Sequence, residues 1–166
     1  DGTVQIIDVA TAEVKRVLRV DGCHSIDFAP CGTKLAAACT TQFDDISSVK
    51  IFSQEGSTGN FVCHDARVDG DVNSIQFSPS GDIIAAGCED GTVQLIDVAT
   101  AEVTRALSID AGFGGMHSVS FSPSGDTIAV GCTRKFYFVD AAAGQIKSSV
   151  SVDGEVCSVA YTPDGT

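Results

Sequence analysis

An internal repeat of about 44 residues constrains this chain more than any other feature. Residues 1–20 and 90–109 are identical at fifteen of twenty positions. A second segment recurs four times, as HSIDFAPCGT from His24, NSIQFSPSGD from Asn73, HSVSFSPSGD from His117 and CSVAYTPDGT from Cys157. Self-similarity at a fixed period is typical of solenoids, propellers and repeat arrays. The sequence therefore predicts a row of similar units that share their cores.

Each unit has the pattern of four antiparallel strands, which we name a to d in chain order. Strand a alternates polar and apolar residues and ends at a Pro, which cannot donate to a strand ladder. A Pro-x-Gly turn follows, then a continuous apolar run such as residues 83–88, which is typical of a buried strand. Residues 92–97 and 101–109 have the pattern of the third and fourth strands. A repeated four-stranded unit of this length predicts a β-propeller blade.

The predicted fold class is thus all-β, a propeller of four-stranded antiparallel blades. The chain holds 15 predicted strands, or about 3.75 blades. Residues 1–22 supply strands c and d of a blade, residues 23–71, 72–115 and 116–155 are complete blades, and residues 156–166 supply the first strand of a further blade. We expect these blades to be part of a larger ring. Blades of the parent chain, a second copy or another subunit would then cover the open edges.

The body of one repeat resembles a known family. The segment FSPSGDIIAAGCEDGTVQLIDVATAEV from Phe77 is similar to a WD repeat (WD40-like), with Ile96-Asp97 where the family has Trp-Asp. The chain has no Trp, and the family's Gly-His dipeptide is missing. The resemblance implies a non-enzymatic scaffold for protein–protein interaction, with the d–a and b–c loops on one partner-binding face. It also implies that the family's buried His–Ser/Thr–Asp–Trp network is absent or reduced here, so that apolar packing carries more of the stability.

The formal net charge of −12 disfavours nucleic acid as a partner, and the apolar runs are far too short to span a membrane. Part of this charge recurs once per unit at one bend, at Asp21, Asp69, Asp110 and Asp153. Such a ring of carboxylates predicts an acidic rim facing a basic protein partner, although Asp also favours bends by bonding its own backbone. Two enlarged loops add Phe43 and Phe113 as candidate contacts. The predicted partner-binding face comprises Asp21, Phe43, Asp69, Asp110, Phe113 and Asp153.

Seven cysteines raise the question of disulfides or a metal site, but the number is odd and no C-x-x-C pair is present. Cys39, Cys88 and Cys132 follow Ala or Gly at one repeat position, where a thiol packs as a small apolar group. We therefore expect reduced, inert thiols and a cytoplasmic location.

No catalytic, cofactor-binding or metal-binding motif is found, so we expect a protein that is not an enzyme and needs no cofactor. His24 and His117 are equivalent by repeat, and we interpret them as loop-bonding residues at the solvent edge. One alternative is a propeller with a metal or redox site in its axial channel. Residues 34–39, 82–88 and 126–132, taken as the innermost strands, contain few ligands for it. A second alternative is an engineered or recently amplified repeat array.

Overall fold

The fold is built from strands. The computed structural model describes residues 2–40, 47–55, 60–109 and 115–165. Within these ranges there is no helix, and hence none that could cross a membrane. The strands are β1 (Thr3–Ile7), β2 (Val14–Arg19), β3 (Cys23–Phe28), β4 (Lys34–Thr40), β5 (Ser47–Glu55), β6 (Asn60–Val68), β7 (Val72–Phe77), β8 (Ile83–Cys88), β9 (Thr92–Asp97), β10 (Glu102–Ser108), β11 (Met116–Phe121), β12 (Thr127–Asp140) and β13 (Ile146–Glu155).

The strands form four antiparallel sheets that follow the repeat. β1 pairs with β2, and the next two sheets have the orders β3-β4-β5-β6 and β7-β8-β9-β10. The last sheet has the order β11-β12-β13. Each complete sheet thus runs through strands a, b, c and d in chain order. The described sheets do not close into a ring, and the molecule is part of a β-propeller.

The structure has 13 strands where the sequence predicts 15, and the difference lies at two places. β12 is a hairpin, because the backbone N–H of Ala141 donates to the carbonyl oxygen of Asp126 at 3.0 Å. Its first half pairs with β11 and its second half with β13, and the chain reverses near Arg134, where φ is 63°. Residues 157–161 lie beside β11 but form no ladder with any strand that the structure describes.

The apolar cores lie between consecutive sheets. In the interface of the second and third sheets, Val49 and Ile51 of β5 pack with Ile75 and Phe77 of β7. The next interface repeats this pattern, with Val93 and Leu95 of β9 against residues of β11. The recurring residues Cys39, Cys88 and Cys132 are buried in these cores, as expected for small apolar groups.

The innermost strand is strand a, and the assignment of strand b to this position is wrong. β3, β7 and β11 each form one edge of their sheet. β3 contacts β7, and β7 contacts β11, so these edges lie side by side. Strand b is the second strand of each sheet. Its apolar run is continuous because neighbouring sheets cover both of its faces. A sequence pattern alone does not distinguish such a strand from one that lies at the axis of the propeller.

Candidate partner-binding face

The d–a bends and the b–c connections lie on the same face of the molecule. The backbone N–H of Thr40, at the end of β4, donates to Gly22 O at 3.0 Å. In the next blade, the N–H of Glu89 donates to Asp71 O at 2.8 Å. These bonds join the two bends to the ends of strand b, so the bends and the described b–c turn at residues 89–91 form one surface, which we call the loop face.

Three of the six predicted face residues fall in the described part of the chain, and all three are exposed. Asp21 and Asp69 lie at the d–a bends as predicted. Asp153 instead lies within β13, which continues to Glu155. Glu155 in turn pairs with Thr133 of β12. The predicted bend at this point is therefore replaced by a longer strand. Phe43, Asp110 and Phe113 lie outside the described residues.

Four exposed carboxylates come together at one end of the third sheet. They are Asp69 and Asp71 of the bend and Glu89 and Asp90 of the adjacent b–c turn, and we call them the acidic group. A Cβ placed on Gly70 would lie 3.4 Å from the carboxylate of Asp90, which shows how closely bend and turn approach. Only Asp69 was predicted as a site residue. The Asp90-Gly91 turn signal was visible in the sequence, but its position beside the bend depends on sheet order.

Hydrogen bonds to neighbouring side chains hold three of the four residues of the acidic group. The buried side chain of Gln94 binds the Asp69 backbone in both directions, donating to its carbonyl oxygen and accepting from its N–H. Asp71 accepts from Ser47 Oγ at 3.1 Å. Asp90 Oδ1 accepts from both the N–H and the hydroxyl of Thr92, at 2.9 and 2.7 Å. None of the ion pairs found in the described part of the chain involves these four carboxylates.

The polar side chains of the innermost strands are used to join neighbouring sheets. Serines at one repeat position each accept a backbone N–H from the next innermost segment, and we call these contacts the serine ladder. The bonds run from Ile75 to Ser25 at 3.1 Å, from Val119 to Ser74 at 3.2 Å and from Val159 to Ser118 at 3.2 Å. The sequence analysis missed this role, although the serine is present in all four copies of the recurring segment.

A second set of contacts runs two residues further along the same strands. Asp27 Oδ2 accepts the N–H of Phe77 at 2.7 Å, and Gln76 Oε1 accepts that of Phe121. Burial raises the pKa of Asp27 above its ordinary value. Among the residues that the structure describes, no group of three or more His, Cys, Asp or Glu could hold a metal ion.

Of the two histidines expected to bond their own loops, His117 instead contacts residues of the neighbouring strands β12 and β13. His117 Nε2 lies 3.2 Å from Thr133 Oγ1 and 3.6 Å from Glu155 Oε1. His24 is exposed.

Apolar surface is exposed at both ends of the row of sheets. Ile26 and Phe28 of β3 are 50% and 47% exposed, whereas their repeat equivalents Ile75 and Phe77 are 5% and 4% exposed. At the other end, a cleft of about 420 Å³ lies between β12 and the last described segment. Its lining includes Phe136, Phe138, Val156, Val159 and Tyr161. Both surfaces are positions where an internal blade would meet a neighbour.

Comparison with known proteins agrees with this architecture. Residues 55–97 match the family model WD40, described as "WD domain, G-beta repeat". A solved structure of Kuenenia stuttgartiensis hydrazine synthase superposes with a TM-score of 0.82 at 22% identity, over 99% of this chain and 47% of that chain. At this identity the likeness shows the fold alone, and the chain spans about half of the matched one. No significant match was found among curated proteins. The resemblance to the WD-repeat family is confirmed, with the family match at residues 55–97 and a shared fold along nearly the whole chain.

Proposed function

We propose that the protein is a non-enzymatic, cytoplasmic interaction scaffold whose loop face binds a basic protein segment. The WD repeat supports the scaffold, because such repeats commonly mediate protein–protein interaction. The observation that carries the choice of face is the acidic group, four exposed carboxylates of which none is in the ion pairs of the described residues. Like charges held together by a rigid support attract a cationic partner and speed its association.

The structure supports a partner of opposite charge for two reasons. The acidic group is held by Gln94, Ser47 and Thr92, so little ordering of its supports would be needed on binding. The net charge of −12 adds a long-range field of the same sign. A basic peptide segment fits these properties, whereas the phosphates of a nucleic acid would be repelled.

The proposal is tested by neutralising the acidic group with Asp69→Asn, Asp71→Asn, Glu89→Gln and Asp90→Asn. Binding to an immobilised lysine-rich decapeptide is measured by biolayer interferometry at low and physiological ionic strength. We expect the variant to bind at least about tenfold more weakly than the natural chain. The loss should shrink as salt is raised, because screening already weakens the natural interaction.

A matched control carries the same change in net charge on the opposite face. Glu13→Gln, Asp82→Asn, Glu102→Gln and Asp126→Asn change four exposed carboxylates in the a–b and c–d turns or directly beside them. We expect this variant to keep most of the affinity. Equal losses in the two variants would mean that binding follows net charge alone, and the loop face would lose its assigned role.

Phe43 and Phe113 are proposed as apolar contacts on the same face, from their places in enlarged b–c and d–a loops. Replacing both with Ala should weaken binding of a basic segment that also carries aromatic residues, while leaving the lysine-only peptide unaffected. An unchanged affinity of the double variant for the aromatic-containing segment would remove these residues from the proposed interface.

We also propose that other strands cover the two apolar end surfaces in the assembled protein. The exposure of Ile26 and Phe28, compared with the burial of their repeat equivalents, supports this. The strands would come from further blades, a second copy or another subunit. Sedimentation velocity over a range of concentrations separates self-association from a requirement for another chain.

A further inference from the structure

Two cysteines face each other within one sheet. Cys23 of β3 and Cys39 of β4 are register partners in the antiparallel ladder. Their neighbours Gly22 and Thr40 are joined by a backbone hydrogen bond of 3.0 Å. A register shift follows directly after Cys23, since the next pair along the ladder is Ser25 with Ala38. Directly opposed residues of an antiparallel ladder have Cα atoms about 4.5–5.5 Å apart.

This geometry is compatible with a covalent bond between the two sulfurs. Disulfides join Cα atoms that are about 4.4–6.8 Å apart, and the expected separation lies within that range. Directly opposed residues also point to the same side of the sheet. Both side chains belong to the core between the first and second sheets, where Cys39 is 2% exposed and Cys23 is partly buried.

The two thiols are reduced in this structure and bond to nearby carbonyls. Cys23 Sγ donates to Ser25 O at 3.7 Å, and Cys39 Sγ donates to Ala37 O at 3.6 Å. These are weak bonds that rotation about χ1 would release. Since Cys23 is partly exposed, a small reagent can reach it from solvent, whereas Cys39 is buried.

The pair is specific to one blade. In the next two blades the same register positions are occupied by Val72 with Cys88 and by Met116 with Cys132. The strand b cysteine is therefore common to all three complete units, and the strand a cysteine is particular to the first of them. Packing explains the recurring cysteine but not its partner.

We propose that Cys23 and Cys39 form a reversible redox pair that closes to a disulfide on reaction with a small-molecule disulfide such as oxidised glutathione. The Cys23 thiolate attacks one sulfur of the oxidant, which forms a mixed disulfide and releases one thiolate. The Cys39 thiolate then attacks Cys23 Sγ, forms the Cys23–Cys39 bond and releases the second thiolate. The two protons lost by the protein thiols pass through water to the two released thiolates, so the oxidant is reduced to two thiols.

The test measures which cysteines resist alkylation after oxidation of the folded chain. The protein is incubated with oxidised glutathione at about pH 8.5, because burial raises the pKa of both thiols and exchange requires thiolate. It is then quenched in acid, denatured and alkylated. The exposed Cys31, Cys63 and Cys157 can form adducts with glutathione, which mass spectrometry distinguishes from an internal link. We expect Cys23 and Cys39 to be neither alkylated nor joined to glutathione, and all seven cysteines to be alkylated after treatment with dithiothreitol. In a Cys31→Ser background, trypsin separates Cys23 in peptide 20–34 from Cys39 in peptide 35–50, and oxidation should join these two peptides.

Matched variants identify the pair. Cys23→Ser should leave Cys39 open to alkylation, with an unchanged circular dichroism spectrum. Val72→Cys places a second thiol opposite Cys88 at the equivalent register position, and it should create a second link. Alkylation of Cys23 and Cys39 in the oxidised natural chain, or a link that involves a cysteine other than these two, would overturn the proposal, whether or not the Val72→Cys link forms.

Discussion

Single serines connect the sheets of this protein. Ser25, Ser74 and Ser118 occupy one repeat position, and each accepts a backbone N–H from the following innermost segment. The sequence showed that the serine recurs in each unit but did not show which backbone group it binds. Alternation along a strand indicates the face on which a side chain lies, whereas the backbone group that it meets depends on how closely the next sheet approaches.

Removing one of these hydroxyls should cost more than removing an ordinary strand serine. Ser74→Ala leaves the Val119 N–H without its acceptor between two sheets, and we expect a loss of about 1–2 kcal/mol of unfolding free energy. Ser108→Ala, at an exposed position of β10, should change stability by less than about 0.5 kcal/mol. Urea unfolding of the two variants measures the difference, and equal effects would show that the ladder does not stabilise the fold.

Asp27 should make stability depend on pH. Burial raises its pKa in the folded state above 3.8, so its contribution is fully present below the unfolded pKa and is lost as pH rises through the folded pKa. Asp27→Asn keeps an oxygen for the Phe77 N–H, as Gln76 does for Phe121 in the next blade. We expect the variant to lose less stability than the natural chain between about pH 4 and neutrality, by urea unfolding. Asp82→Asn, at an exposed turn, is the control, and parallel pH profiles for Asp27→Asn and the natural chain would contradict the assignment.

At the scale of elements, the c–d turns have a common design. An aspartate at the end of strand c accepts two backbone N–H groups in each described turn: Asp8 from Ala10 and Thr11, Asp97 from Ala99 and Thr100, and Asp140 from Ala142 and Ala143. The chain then adopts a left-handed conformation at Ala12, Ala101 and Gly144, with φ of 57°, 56° and 70°. Asp97 is the residue that aligns with the Asp of the family's Trp-Asp pair.

Ala101→Gly should stabilise the protein, because a left-handed Ala is strained by its Cβ and Gly144 shows that the turn accepts Gly. The relief is partly offset by the greater freedom of Gly in the unfolded chain, so we expect a gain of about 0.5–1 kcal/mol. Ala99→Gly, in the same turn, lacks the positive φ and should be neutral or destabilising. Thermal unfolding of both variants distinguishes them, and a loss of stability in Ala101→Gly would show that the strain is negligible.

The sequence predicted the order of strands and the Pro-x-Gly turns, because hydrophobic period and turn residues are local signals. Gly81 and Gly125 have the predicted positive φ, at 78° and 80°. It did not predict that β12 would continue through its hairpin or that Asp153 would lie within β13. These differences depend on pairing between distant segments. The axial position of strand a is likewise a property of sheet packing.

For the whole molecule, burial depends on whether a neighbouring blade is present. Phe28 and Phe77 are repeat equivalents in strands of the same pattern, yet one is half exposed and the other buried. Their difference in environment is thus produced by the surrounding sheets and not by their own strands. Proteins in which such apolar surface is left open tend to associate through it.

The two phenylalanines provide a matched pair of variants. Phe77→Ala should lower the unfolding free energy by about 3–5 kcal/mol, because it empties a packed core. Phe28→Ala should lower it by about 1 kcal/mol or less and should reduce concentration-dependent association. Urea unfolding and sedimentation velocity measure the two effects. If Phe28→Ala were as destabilising as Phe77→Ala, the surface around Phe28 would have to be covered in solution.

The serine ladder also bears on how such a chain can grow. The same serine acceptor and the same backbone donor join each of the three described pairs of neighbouring innermost segments, so consecutive units have equivalent boundaries. A duplicated unit is therefore accommodated without redesign of its boundaries. Copying genes in whole units then becomes structurally neutral. The near identity of residues 1–20 and 90–109, two units apart, is the kind of record that such copying leaves.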